Sequence, residues 1–162
     1  MKALGRLLGA LTLTLLVPVA ALAGDVKIGL MCPLTGKWAS EGQDMKNIVS
    51  LLADEVNAKG GINGRQVKIV VEDDAGDPKQ GPVVAQKLVD AKVVGVVGHL
   101  NSGVSIPANS VYATAGLVQV SPSSTNPDYT LKGNKTPKGS VSSYRVVATD
   151  AQQGPALAKY ML

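Results

Sequence analysis

Apolar and polar positions fall into alternating blocks along the chain, short runs of strand type exchanging with longer segments of helical period. Val26 to Met31 is a nearly continuous apolar run of strand length. From about Gln43 to Lys59, Met45, Ile48, Val49, Leu52 and Val56 recur at steps of three and four, the stripe of a helix with one inward face. Gly60-Gly61 ends that helix and Asn63-Gly64 makes a turn. Val67, Ile69, Val70 and Val71 form a second strand closed by Glu72-Asp73-Asp74. Asp77 is placed to cap the next helix, with Pro78 at its first position and Val84, Ala85, Leu88 and Val89 on its inner face. Val93 to Val97 is apolar on both faces, as a central parallel strand requires. After a loop at 98–103 comes a helix over Ile106 to Ala115, with Pro107 in its first turn, and a fourth strand at Leu117 to Val120. This order predicts an α/β fold: a parallel sheet with right-handed crossovers and helices on both faces.

Beyond Val120 the pattern changes. Ser121 to Ser143 is rich in Ser, Thr, Pro, Gly and Lys, which predicts a surface loop or crossover. Tyr144 to Val147 has strand character, and Ala151 to Leu162 is helical, with Leu157, Tyr160, Met161 and Leu162 in need of a partner surface. The expectation is the beginning of a longer protein.

The first 23 residues have the make-up of an export signal. Lys2 and Arg6 precede an apolar run from Leu7 to Val19, and Ala21-Leu22-Ala23 offers small residues for cleavage after Ala23. The run is short for a membrane span and contains Pro18, which favours a removed leader over an anchor. Setting those residues aside takes 16 basic side chains to 14 against 12 acidic ones, so little positive charge is left to attract nucleic acid or an anionic surface. With no Phe and one Trp there is no stacking platform for single strands. A single Cys excludes a disulfide scaffold and a thiolate zinc cluster.

In an open α/β sheet, ligands bind outside the carboxyl ends of the strands. The loops there are Cys32 to Gln43, with Pro33-Leu34-Thr35-Gly36 and Trp38; GHLNSG at 98–103; and SPSST at 121–125. They bring Ser102, Ser121, Ser123, Ser124 and Thr125 to one rim beside a helix start. Small hydroxyls and helix amides suit the carboxylate of a small neutral molecule. The same Ser and Thr residues serve equally as caps and turn formers. Asp73-Asp74 has no His or third carboxylate spaced to complete a metal site and reads as strand-end solvation. His99, the one histidine, reads as structural, and Cys32 as a small buried residue. Gly60, Gly61 and Gly64 are not followed by the GK[ST] of a phosphate loop. An α/β hydrolase or transferase using Ser and His99 is the enzymatic alternative, although no nucleophile elbow is present.

Three strings resemble the leucine/isoleucine/valine-binding proteins of bacterial ABC importers, the type I periplasmic binding fold: GGINGRQVKIVVEDDAGDPKQ, VVGHLNSGVSIPANSVYATAGLVQVSPSSTNPDYT and TDAQQGPALAKYML. The resemblance covers nearly all of the chain after residue 23. It implies a 24–143 ligand-binding lobe, and over 144–162 a crossover strand and the first helix of a second lobe that is largely missing. It implies that the Ser102 hydroxyl binds an amino-acid α-carboxylate, that Thr125 does so through hydroxyl and amide, and that the main-chain carbonyl of Ser123 accepts from the α-ammonium. It further implies a periplasmic, non-enzymatic, monomeric protein that serves an inner-membrane ABC permease without metal or cofactor. A ligand-sensing or amide- or urea-binding lobe of the same fold is the alternative. Some members carry a disulfide between the positions of Gly76 and Asn101, where both cysteines are absent here. Trp38 and Glu41 stand near a common aromatic ligand contact.

Overall fold

The computed structural model describes residues 24–162; the proposed leader and its cleavage after Ala23 lie outside the described residues. Five strands form one parallel sheet in the order β2-β1-β3-β4-β5: β1 Val26–Cys32, β2 Val67–Asp73, β3 Val96–Val97, β4 Gln119–Ser121 and β5 Ser143–Arg145. The helices are α1 Ala39–Ala58, α2 Gln80–Asp90, α3 Ser102–Thr114, α4 Asp128–Leu131 and α5 Asp150–Met161.

Register sorts the strand residues between the two faces. Gly29 pairs with Val70 and Val96, and with Met31 they face α2 and α3. There Met31, Val84, Ala85, Leu88, Val96, Ala108 and Tyr112 form the core cluster. Full burial of Leu88 or Met31 stabilises the fold by about 1.5–3 kcal/mol each. On the other face Ile28, Val67, Ile69 and Val97 meet Val49, Ala53 and Val56 of α1 across an apolar cleft of about 290 Å³. Helices therefore cover both faces, as the pattern predicts.

Several local expectations are borne out. The chain leaves α1 through Gly60 and Gly61, whose φ values of 97° and 75° let the Gly61 amide reach back to the Val56 carbonyl at 2.9 Å. Asn63 and Gly64 turn the chain so that Ile62 and Arg65 exchange backbone bonds of 2.8 and 3.0 Å. Asp77 accepts from the Lys79 amide at 2.9 Å and its carbonyl from Gly81 at 3.2 Å, but α2 itself opens at Gln80, so Pro78 lies in the turn before the helix rather than at its first position.

Others are corrected. The strand at 93–97 is regular only over Val96–Val97; the Val94 amide donates to the Lys27 carbonyl at 2.8 Å and the Gly95 carbonyl accepts from Gly29 at 2.9 Å, while the Val94 side chain is 61% exposed. Helix α3 begins at Ser102, four residues earlier than expected, so Pro107 lies inside it. Of the expected α1 stripe, Ile48 and Leu52 are 59% and 54% exposed, since the helix turns Gly42 and Ala53 inward instead. The 121–143 stretch is not all surface: Ser121, Ser124, Tyr129, Ser142 and Ser143 are buried. The hydroxyls of Ser121, Ser124 and Ser142 bond to one another, to Asn109 or to backbone, which makes most of this polar segment compatible with the interior, the Ser143 hydroxyl being the exception without a partner among the described residues.

Candidate functional site

The strand order reverses between β1 and β3, so the crevice of this sheet opens where the loops after those strands part. Ser102 is the first residue of α3, after Asn101, which makes no side-chain cap. Asn101 instead uses its carbonyl to accept from Val104 and Ser105 at 3.0 and 2.9 Å. The Ser102 and Gly103 amides point out of the helix start without intrahelical acceptors. No acidic residue occupies this first turn, so the positive end of the helix is uncompensated from within.

The loop after β4 is drawn to the same place. The Asn126 amide donates to Ser102 Oγ at 3.2 Å, and Ser123 Oγ donates to the Leu100 carbonyl at 2.7 Å. Ser102, Ser123 and Thr125 are thus brought together, all half-buried, at the carboxyl ends of β3 and β4. Because Ser102 accepts from Asn126, its own hydroxyl proton is directed to donate elsewhere. Ser123 spends its hydroxyl on Leu100, so only its backbone is offered to a ligand. The Thr125 carbonyl accepts from the Asp150 amide at 2.9 Å, linking the rim to α5.

Below the rim is a buried polar layer that the alternation of residue types did not reveal. Asp74, expected as a solvated strand end, is 1% exposed, and its Oδ2 accepts from His99 Nδ1 at 2.7 Å. With that proton on Nδ1, Nε2 is left to accept from the Tyr112 hydroxyl at 3.4 Å. His99, expected at a strand end, is fully buried and paired with Asp74. Burial lowers its pKa below the ordinary 6.5, outweighing the hydrogen bond and charge of Asp74, so the imidazole is neutral. The unfolded chain takes up this proton as the pH drops through 6.5 and the folded chain resists it. Stability is accordingly whole above that pH and declines below it until the folded ring also titrates. Urea midpoints should fall between about pH 7 and about pH 5. A His99→Asn variant should show a flatter profile, and equal slopes for the two proteins would contradict the assignment.

Around the His99 carbonyl, Ser105, Ser121 and Ser124 form a buried hydroxyl cluster with Oγ–Oγ separations of 2.6 and 2.7 Å. Arg145 clamps the outer side of the loop. Its guanidinium donates to the carbonyls of Ser124 at 2.6 Å and Asn126 at 2.8 Å and to Thr130 Oγ1 at 2.8 Å, and it lies 5.4 Å over the Tyr129 ring. The first loop is fixed from β2. Burial works against the Asp73 carboxylate, but the Thr35 hydroxyl at 2.6 Å and the amides of Ala75, Leu34 and Thr35 outweigh it, holding its pKa below 3.8. Cys32 is buried, and that burial, with Asp74 and Asp73 nearby, pushes its thiol up to about 11, so it is no nucleophile at neutral pH. Trp38 packs over Gly76, and a Cβ at Gly76 would stand 3.5 Å from Asn101 Oδ1. The two positions that the resemblance associates with a disulfide are therefore neighbours. Glu41 is exposed.

A helix start and a hydroxyl-bearing loop thus meet at the topological switch point of the sheet, the place where open α/β sheets bind ligands. The chain belongs to the periplasmic binding protein family, whose model matches residues 25–162. It is 42% identical over 137 residues to the Leu/Ile/Val-binding protein homolog 2 of Brucella abortus, a match covering 85% of this chain and 35% of that protein. Among solved structures it is similar to an ABC transporter substrate-binding protein of Desulfitobacterium hafniense in complex with Leu, with TM-score 0.68, 34% identity, and coverage of 85% of this chain and 38% of that one. It is also similar to the branched-chain amino acid transporter substrate binding protein of Streptococcus pneumoniae in complex with isoleucine, with TM-score 0.70, 30% identity, and 78% and 35% coverage. The chain spans about a third of the length of the curated relatives it matches. The fold is that of type I periplasmic binding proteins; the family is one of binding and transport rather than an enzyme class, and a periplasmic location goes with it.

Proposed function

We propose that this chain is the first ligand-binding lobe of the solute-binding component of an ABC amino-acid importer, taking leucine, isoleucine or valine. In this reading the Ser102 hydroxyl and the Thr125 hydroxyl and amide hold the α-carboxylate, and the Ser123 carbonyl accepts from the α-ammonium. The single observation that carries it is the Asn126 amide on Ser102 Oγ, which joins the α3 start to the 121–126 loop and leaves the serine proton free to donate to a ligand. Hydroxyls and amides give several directional bonds to a carboxylate without a full counter-charge. The leucine and isoleucine named for two solved relatives support the ligand class. The lobe over 24–143 is read as one wall of the site, with 144–162 leading toward a second wall that supplies an acidic partner for the ammonium, although Tyr144 and Arg145 pair with β4. Export by cleavage after Ala23, delivery to an inner-membrane permease, a monomeric state and the absence of catalysis belong to the same reading.

Half of the contacts give weak binding, since water is not excluded from an open wall. Titration of the chain with leucine, isoleucine and valine, followed by amide NMR, should give dissociation constants on the order of 1 mM or weaker. Shifts should be confined to 98–103 and 121–126, and leucinamide, which lacks the carboxylate, should give none. Ser102→Ala should weaken leucine binding by about 1–3 kcal/mol. Equal response to leucine and leucinamide, or an unchanged Ser102→Ala titration, would return the rim serines to capping and turn formation.

A further inference from the structure

The proposed carboxylate contacts leave the buried layer beneath them without a role. We infer that the Asp74–His99 pair is the positioning element of the ligand rim: Asp74 fixes the imidazole, the imidazole fixes the His99 carbonyl, and that carbonyl holds the turn carrying Ser123 and Thr125. The inference rests on the amino-acid-binding reading for what the rim holds, and on geometry for how the rim is held.

Three strand ends and one helix start converge on His99, Asp74 at its ring and Ser105 and Ser121 at its carbonyl. Asp74 follows β2, His99 follows β3, Ser121 ends β4, and Ser105 lies in the first turns of α3. The carbonyl accepts from Ser121 Oγ at 2.7 Å and from Ser105 Oγ at 3.4 Å. Ser121 Oγ in turn accepts from the amides of Ser124 at 2.9 Å and Ser123 at 3.4 Å. Asp74 also accepts, through Oδ1, from the Gly76 amide at 2.8 Å, which ties in the turn beneath Trp38. Asp74, His99, Ser105, Ser121 and Ser124 are each 1% exposed or less. An apolar filling of this volume would stabilise the core equally well or better. What the polar pair adds is direction, because a shift of about 1 Å in the carbonyl takes the Ser121 bond out of hydrogen-bond range.

The test uses the 162-residue chain, the nitrogen-15 signals of its one histidine, and amide hydrogen exchange. Asp74→Ala and Ser121→Ala should each raise exchange at 123–126 by at least about tenfold relative to the β1–β2 ladder. Asp74→Asn should rescue that protection while inverting the ring: the new amide keeps Oδ1 on Gly76 and donates to Nδ1, so the imidazole proton moves to Nε2. Raised exchange confined to 123–126 while the β1–β2 ladder keeps its protection separates positioning of the rim from general destabilisation. Unchanged exchange at 123–126 in Ser121→Ala, which should fold even where Asp74→Ala does not, would overturn the inference. So would an Asp74→Asn protein whose proton stays on Nδ1. If the exchange and tautomer changes appear while leucine shifts no rim amide of the unsubstituted chain, the positioning stands and the amino-acid reading falls.

Discussion

Gly98→Ala is expected to cost about 3 kcal/mol or more and to leave the chain largely unfolded well below the urea midpoint of the parent. Gly98 sits at φ 125°, a conformation that L side chains rarely adopt. A Cβ there would run into the Met31 carbonyl of β1. The obstacle is backbone on backbone: Met31 is 0% exposed and anchored in the central strand, and the Gly98 amide itself donates to the Val120 carbonyl at 2.9 Å. Neither side can give without breaking the sheet at its switch point. Since domains of this size are stable by only about 5–15 kcal/mol, the loss should be plain in a urea titration followed by circular dichroism. A change below about 1 kcal/mol would show that the β3 end is free to move.

The second large effect is expected from His99→Leu. The substitution removes the donor that meets Asp74 Oδ2 at 2.7 Å and the acceptor for Tyr112, leaving a carboxylate 1% exposed with only the Gly76 amide. Breaking a buried pair from one side costs about 3–5 kcal/mol, because the remaining group cannot recover its hydration. Val94→Ala, at a 61% exposed position, serves as a reference and should change stability by no more than about 0.5 kcal/mol. Urea midpoints of the two variants compared at neutral pH decide the matter; similar values would mean that water reaches Asp74.

How far the sequence could be read follows from which forces leave a periodic trace. The strands, the helices and their parallel order are written in runs such as Val67 to Val71 and in the spacing of Val84, Ala85 and Leu88, because burial of apolar surface repeats with the period of the element. The rim residues Ser102, Ser123 and Thr125 were legible as hydroxyls after strand ends, and the structure brings them together at one edge. Their ligand roles rest on the proposal above. The Asp74–His99 pair, the Ser105–Ser121–Ser124 cluster and the Arg145 clamp were not legible, since such groups are matched in space across 19 to 25 residues and obey no local period. Arg145 looked like one residue of a short strand, yet its guanidinium organises the entire 124–130 turn. Two cues were available: an acidic doublet at a strand end facing the chain's one histidine, and a polar stretch with too many serines for an ordinary solvent loop.

The bond from the Asp150 amide to the Thr125 carbonyl has a mechanical meaning. Helix α5 is 12 residues long, with a capping box that stiffens its first turn around Thr149 and no buried residue along its length. The peptide unit that carries the rim threonine is thereby shared with the start of α5, so a displacement of that helix start would be felt at the backbone of Thr125.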